Sequence, residues 1–147
     1  MKKVLTLYPT ALVIRTSAFF GPWDNYNFLR VIVENARCGR AFKVASDVMV
    51  SPTYVPDLVH TSLDLLLDGE KGIWHLTNKG QIVWSHLAYS IVERLQLSPH
   101  LIEPVPLNTL GYKAQRPFYS VLGSDRGAIL PTLDNAIDRC LAGLNIA

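Results

Sequence analysis

The sequence predicts an α/β fold, and three observations carry that expectation. Residues 11–17, ALVIRTS, form a continuous apolar run ending in polar side chains, the pattern of a buried parallel strand. Two further strand-like runs follow at 41–45 (AFKVA) and 72–77 (GIWHLT). Between and after them lie four segments whose apolar residues recur at helical spacing.

The elements follow in chain order. After the first strand comes TSAFFGPWDN, an aromatic loop carrying Gly21-Pro22. Ligands of open α/β sheets sit at the carboxyl ends of strands, so this loop is a site candidate by position. Asn25 or Asn27 can cap a helix presenting Phe28, Val31, Ile32 and Ala36, and Gly39 stops it. The stretch SPTYVPDLV (51–59) then opens a helix carrying Val55, Leu58, Val59, Ser62, Leu63, Leu66 and Leu67. Pro56 suits its first turn, where a missing N–H costs nothing, and Asp57 complements the positive helix N-terminus. Asn78-Lys79-Gly80 is a turn. Ser85 is a plausible cap for a helix bearing Leu87, Ala88, Ile91, Val92 and Leu95. Residues 98–109 are punctuated by proline and predict an irregular connection with a short strand around Ile102–Val105. The last helix carries Leu133, Ala136, Ile137, Cys140 and Leu141. Trp74 and Trp84 are expected in the core, and His75 as a hydrogen-bonded structural histidine.

At 147 residues, one domain spanning 1–147 is expected. Apolar residues make up 49% and charged residues 18%, a globular composition. The net charge is +2, and Lys2–Lys3 is the densest basic run, too little for a nucleic-acid footprint. Cys38 and Cys140 lie far apart and read as reduced thiols. There is no Cys-x-x-Cys or Cys/His spacing, and the four histidines are scattered, so no metal site is expected. No signal-peptide pattern is visible, and no apolar run approaches the ~18 residues of a membrane span. The expectation is a cytoplasmic protein with no membrane contact. Asp64, Asp68 and Glu93 read as solvated helix faces.

A nucleotide-binding α/β protein normally carries a glycine-rich turn between its first strand and helix. This sequence has no G-x-G-x-x-G, no G-x-x-x-x-G-K-[ST] and no helical Tyr-x-x-x-Lys. Its remaining motifs are informative as a set. They are Arg15-Thr16-Ser17, Phe20-Gly21, Asn27-Phe28, Ser51-Pro52-Thr53-Tyr54, Asp57-Leu58, Gly72-Ile73-Trp74-His75-Leu76, and Arg116-Pro117 with Tyr119-Ser120 and Leu122. In order and spacing these resemble the C-terminal half of the dTDP-4-dehydrorhamnose reductase family, within the extended short-chain dehydrogenase/reductase superfamily. The sequence departs from that pattern at Ala18, where the family has Trp, and at Val48-Met49-Val50 before Ser51.

The resemblance implies a Rossmann-type fold lacking its dinucleotide-binding half, with VLTLYPT as the tail of the helix preceding the strand. It implies a family cofactor, NADP or NAD, whose site lies largely outside this sequence, together with the catalytic Tyr and Lys. No catalytic residue is therefore expected here, and no reductase activity by the chain alone. Ser17, Ala18 and Phe19 would form one edge of the nicotinamide pocket, or plain strand-end chemistry. Arg116 would pair the diphosphate of a dTDP-sugar through its planar fork, or a nearby carboxylate. Ser51, Thr53, Tyr54 and Tyr119 would line the sugar-nucleotide cleft, although Thr53 could equally satisfy backbone and Tyr54 pack. Asn27 would be a ligand group or a helix cap. Trp23 would cover the site or pack against another body. The alternative to a substrate-binding half is a non-catalytic assembly module, pairing with a separate Rossmann partner or with itself as a homodimer.

Overall fold

A computed structural model describes residues 2–127 and 129–144. It is mixed α/β, as the sequence predicts. Helix α1 (Lys2–Leu7) runs directly into strand β1 (Leu12–Arg15). Strand β2 (Phe19–Phe20) and helix α2 (Phe28–Arg37) follow, then β3 (Phe42–Ala45), β4 (Met49–Val50) and β5 (Thr53–Tyr54). Helix α3 (Val55–Leu67) leads to β6 (Gly72–His75), β7 (Ile82–Val83) and α4 (Trp84–Arg94). After a 3₁₀ turn at Pro99–Leu101 come β8 (Ile102–Val105), a second 3₁₀ turn at Leu107–Leu110, β9 (Tyr119–Ser120) and α5 (Leu133–Gly143).

The strands pair in small groups. β1 lies parallel to β6, with Ile14 opposite Trp74. β2 lies parallel to β5, and β3 parallel to β8. β4 sits between β7, antiparallel, and β9, parallel. The expected buried strand at 11–17 is shorter and only half-buried. Among the described residues, β1 has β6 on one side and no strand on the other.

One core is closed by α2, α4 and α5 around β3 and β8. Asn27 caps α2, and the helix turns Leu29, Ile32, Val33 and Ala36 inward. That face is rotated slightly from the expected Phe28/Val31 stripe, and it leaves Phe28 at the core margin. Gly39, at φ 63°, adopts the left-handed conformation that ends a helix at little steric cost. α5 buries all five residues its spacing predicts. The N-cap position of α4 is Val83, with no side-chain cap, and Ser85 is instead buried inside the first turn.

A second core joins Leu65 of α3 to Trp74, Leu76 and Leu130, with Leu12, Ile14 and Leu58 packed on it. Here the apolar stripe read from the sequence does not face inward. α3 buries Asp57 and Leu65, and exposes Val59, Leu63, Leu66 and Leu67. The inward face carries a polar anchor. Asp57 is clamped by Arg139 of α5 through two hydrogen bonds, at 2.7 and 2.6 Å, and by Asn78 at 2.8 Å. Those bonds tie the first turn of α3 to α5 and to the turn at Asn78. A third, smaller core of Ala45, Val48 and Val50 underlies the site.

Candidate ligand cleft

A cleft of about 370 Å³ opens between the end of β1, strand β3 and the segment 107–120. Its floor is apolar: Val44, Ala45, Val48 and Val50, continued by Leu107 and Leu110. Phe28 and Trp84 form a wall, packed edge to face at 4.4 Å between centroids. Trp84 is half-buried against two of the cores, as expected, and its outer face lines the cleft. The polar groups at its margin are Ser17, Lys43, Tyr112, Arg116 and Ser120. No carboxylate lines it among the described residues. Such a surface suits a ligand with a flat or apolar body and a negative charge.

Each margin is held by local structure. Thr53, fully buried, donates its hydroxyl to the Ser17 carbonyl at 2.7 Å and accepts from the Thr16 hydroxyl at 3.1 Å. The Thr53 amide donates to the Ala18 carbonyl at 3.0 Å. This clamp holds Ala18 at φ 48°, a left-handed conformation that costs a non-glycine residue roughly 1–2 kcal/mol. Backbone strain of this kind collects at functional sites. On the opposite margin, Gly111 at φ 67° reverses the chain after the 3₁₀ turn. The Arg116 guanidinium then lies 5.7 Å above the Tyr112 ring.

The residues singled out by the sequence divide into three groups. Ser17, Ala18 and Arg116 line the cleft. Asn27, Ser51, Thr53 and Tyr54 are buried around it and bonded within the protein. Asn27 accepts from the Arg30 amide at 3.1 Å and donates to the carbonyls of Gly21, at 2.8 Å, and Asp24. Ser51 accepts from the Leu122 amide at 3.3 Å. Tyr54 packs on Phe20 with Arg139 above its ring at 4.9 Å, and burial pushes its phenol pKa upward. Its amide donates to Asn78 at 2.7 Å. The third group is exposed. Phe19 lies outside the cleft, against a crevice it shares with Phe20 and Leu29. Trp23 is 76% accessible, and Tyr119, on β9 beside Met49, donates its hydroxyl to Gln81 at 3.5 Å.

Sequence reasoning did not single out Lys43, Tyr112, Ser120, Phe28 or Trp84 as site residues. Lys43 had a signal: it is a lone charge inside the strand run AFKVA. Asp57, read as a helix-end charge, is instead an anchor. Burial by itself would raise its pKa, but the bonds from Arg139 and Asn78 hold the carboxyl below its ordinary value.

A second, polar cleft of about 280 Å³ lies beside Ser51, His75, Lys79 and Gly123. His75 is hydrogen-bonded on both ring nitrogens, to Arg15 at 3.0 Å and the Gly123 carbonyl at 2.6 Å, which fits a structural role. Among the described residues no cluster of His, Cys, Asp or Glu could hold a metal, and no helix is long and apolar enough to cross a membrane.

Residues 2–141 match the family model described as the RmlD substrate binding domain. The sequence is 36% identical over 124 residues to a probable dTDP-4,6-dihydroxy-2-methyloxan-3-one 4-ketoreductase of Streptomyces antibioticus, covering 84% of this chain and 42% of that protein. It is 32% identical over 126 residues to a dTDP-4-dehydrorhamnose reductase of Mycolicibacterium smegmatis, covering 85% and 38%. The fold matches the crystal structure of a Bacillus anthracis dTDP-4-dehydrorhamnose reductase in complex with NADP, at TM-score 0.82 and 26% identity over 89% of this chain and 48% of that one. The chain thus spans about half the length of the relatives it matches.

Proposed function

Because the chain belongs to the family of RmlD substrate binding domains, we propose that residues 1–147 form the dTDP-sugar-binding part of an NAD(P)H-dependent, dTDP-4-dehydrorhamnose reductase-like oxidoreductase. The single observation carrying this reading is the cleft itself, an apolar floor rimmed by cations with no carboxylate among its described lining residues. Arg116 pairs the diphosphate, a task its bidentate fork suits. The base and sugar pack on Val44, Val48 and Val50. Asn27, Ser51, Thr53 and Tyr54 shape the cleft from beneath. Tyr119, beside the lining residue Ser120, and Trp23 are exposed and would meet the ligand from outside the cleft. A nicotinamide cofactor supplies the hydride when bound. The residues present fit only its edge: Ser17 and Ala18 line the cleft, and their carbonyls each accept one bond from Thr53. A thermal-shift titration with dTDP tests the reading. A saturable rise in melting temperature, lost in Arg116→Ala, supports it, because a ligand that binds only the folded state stabilises it. A flat response with an otherwise cooperative melt counts against it. The chain alone should not oxidise NADPH in the presence of a 4-keto dTDP-sugar; measurable oxidation would refute that part.

A second reading is favoured by one observation. Val59, Leu63, Leu66 and Leu67 form an exposed apolar stripe on α3, and β1 leaves one edge without a strand partner among the described residues. Such surfaces associate. The chain would then be a non-catalytic assembly module, pairing with a separate Rossmann-type partner or with a second copy. Sedimentation of the isolated chain discriminates self-association: a monomer up to ~100 μM excludes a homodimer of typical affinity.

A further inference from the structure

We infer that Lys43 is a second phosphate-binding cation of the cleft, and that with Arg116 it selects a nucleoside diphosphate over the monophosphate and the uncharged nucleoside. The inference rests on the proposed reading of the cleft as a sugar-nucleotide site, and adds to it a residue and a selectivity.

Lys43 and Arg116 are the two charged residues lining the cleft, and they come from different elements. Lys43 stands on β3, and Arg116 on the irregular segment between the second 3₁₀ turn and β9. Neither is neutralised. Among the described residues Lys43 forms no ion pair, although Glu103 stands in register with it on β8. Among the described residues Arg116 meets the face of Tyr112 and forms no ion pair. Four other arginines do find carboxylates: Arg30, Arg94, Arg126 and Arg139. The chain as a whole carries 14 basic and 12 acidic residues, so its net charge does not oppose an anion at the cleft. Two unpaired cations on low-dielectric walls repel each other and focus a positive potential. An anion placed between them removes that repulsion. A diphosphate offers two charged phosphate groups, one for each cation, whereas a monophosphate offers one. The two cations also divide the work by shape. Arg116 presents a planar fork to two oxygens, and Lys43 a compact, mobile point charge.

The experiment is calorimetric titration of the whole chain with dTDP, dTMP and thymidine, for the unsubstituted protein, Lys43→Gln, Lys43→Arg and Arg116→Ala. Lys43 is exposed, so its substitution should leave the melting temperature unchanged. The expected result is that Lys43→Gln weakens dTDP about 10- to 100-fold, the loss of one charge-assisted contact. It should weaken dTMP less, leave thymidine alone, and flatten the salt dependence of dTDP binding. Lys43→Arg should restore most of the affinity. If Lys43→Gln binds dTDP within twofold of the unsubstituted chain while Arg116→Ala loses it, the inference about Lys43 is overturned and the sugar-nucleotide reading stands. Equal weakening of thymidine also overturns it, since the residue would then be shaping the cleft rather than meeting phosphate. If the unsubstituted chain binds no dTDP, both fall.

Discussion

Replacing Arg139 with alanine should destabilise the fold by about 2 kcal/mol at neutral pH, and the penalty should shrink in acid. Asp57 is 7% accessible and receives three hydrogen bonds, two from Arg139 at 2.7 and 2.6 Å and one from Asn78 at 2.8 Å. Removing the charged partner of a buried carboxylate costs roughly 3–5 kcal/mol where both groups are buried. Arg139 is itself 41% accessible, so water screens the pair and the figure is discounted to about 2 kcal/mol. For a chain of this length that lowers the melting temperature by roughly 4–8 °C. The pH dependence has a definite sign. In the native protein Asp57 titrates below its ordinary value, so its contribution is fully present above the unfolded pKa near ~4 and is lost as pH falls through the folded one. Without Arg139, burial is the largest remaining influence and acts in the opposite direction. The charged form is then the costly one, and protonation relieves it. Urea melts of both proteins between pH 7 and pH 3 should therefore converge toward low pH. On an Asp57→Asn background, the Arg139→Ala cost should drop below 1 kcal/mol, since the two act as a pair. A penalty under ~0.5 kcal/mol at pH 7, or one that does not change down to pH 3, would refute this account of the anchor.

Two further outcomes are expected. Asn27→Ala should cost about 1–2 kcal/mol by chemical melt, because it removes the α2 cap and the bonds to Gly21 and Asp24; an unchanged midpoint would show that water replaces the cap. Ellman's reagent should modify one thiol in the folded chain and two in denaturant. Cys38 is exposed, whereas Cys140 is fully buried and burial pushes its pKa up to about 12. Rapid reaction of both thiols in the native state would mean that the α5 interface opens.

What could be read from the sequence was local. The α5 stripe, the Asn27 cap, the Pro56 helix start and the β1/β6 strand runs all rest on spacings within a few residues, and each appears in the structure. The failures share a cause. Asp57 meets Arg139 across 82 positions, joining the first turn of α3 to α5. Periodicity alone can foresee neither that pairing nor that the Val59/Leu63/Leu66/Leu67 stripe points outward. Strands β2, β4, β5, β7 and β9 are two residues each, too short to leave any alternation in sequence. The cleft was only partly visible for the same reason. Ser17, Ala18 and Arg116 stand in recognisable motifs, whereas Lys43, Tyr112 and Trp84 become neighbours only when β3, the segment 107–120 and α4 converge.

The central claim is that the cleft over β3 and β4 receives a dTDP-sugar. Backbone amide shifts of the labelled chain, followed through a dTDP titration, test it most directly. The account predicts saturable shifts concentrated at Ser17, Lys43, Val50, Tyr112, Arg116 and Ser120, with Lys79 and Gly123 of the second cleft unmoved. Shifts centred on His75, Lys79 and Gly123, or none at millimolar ligand, would contradict it.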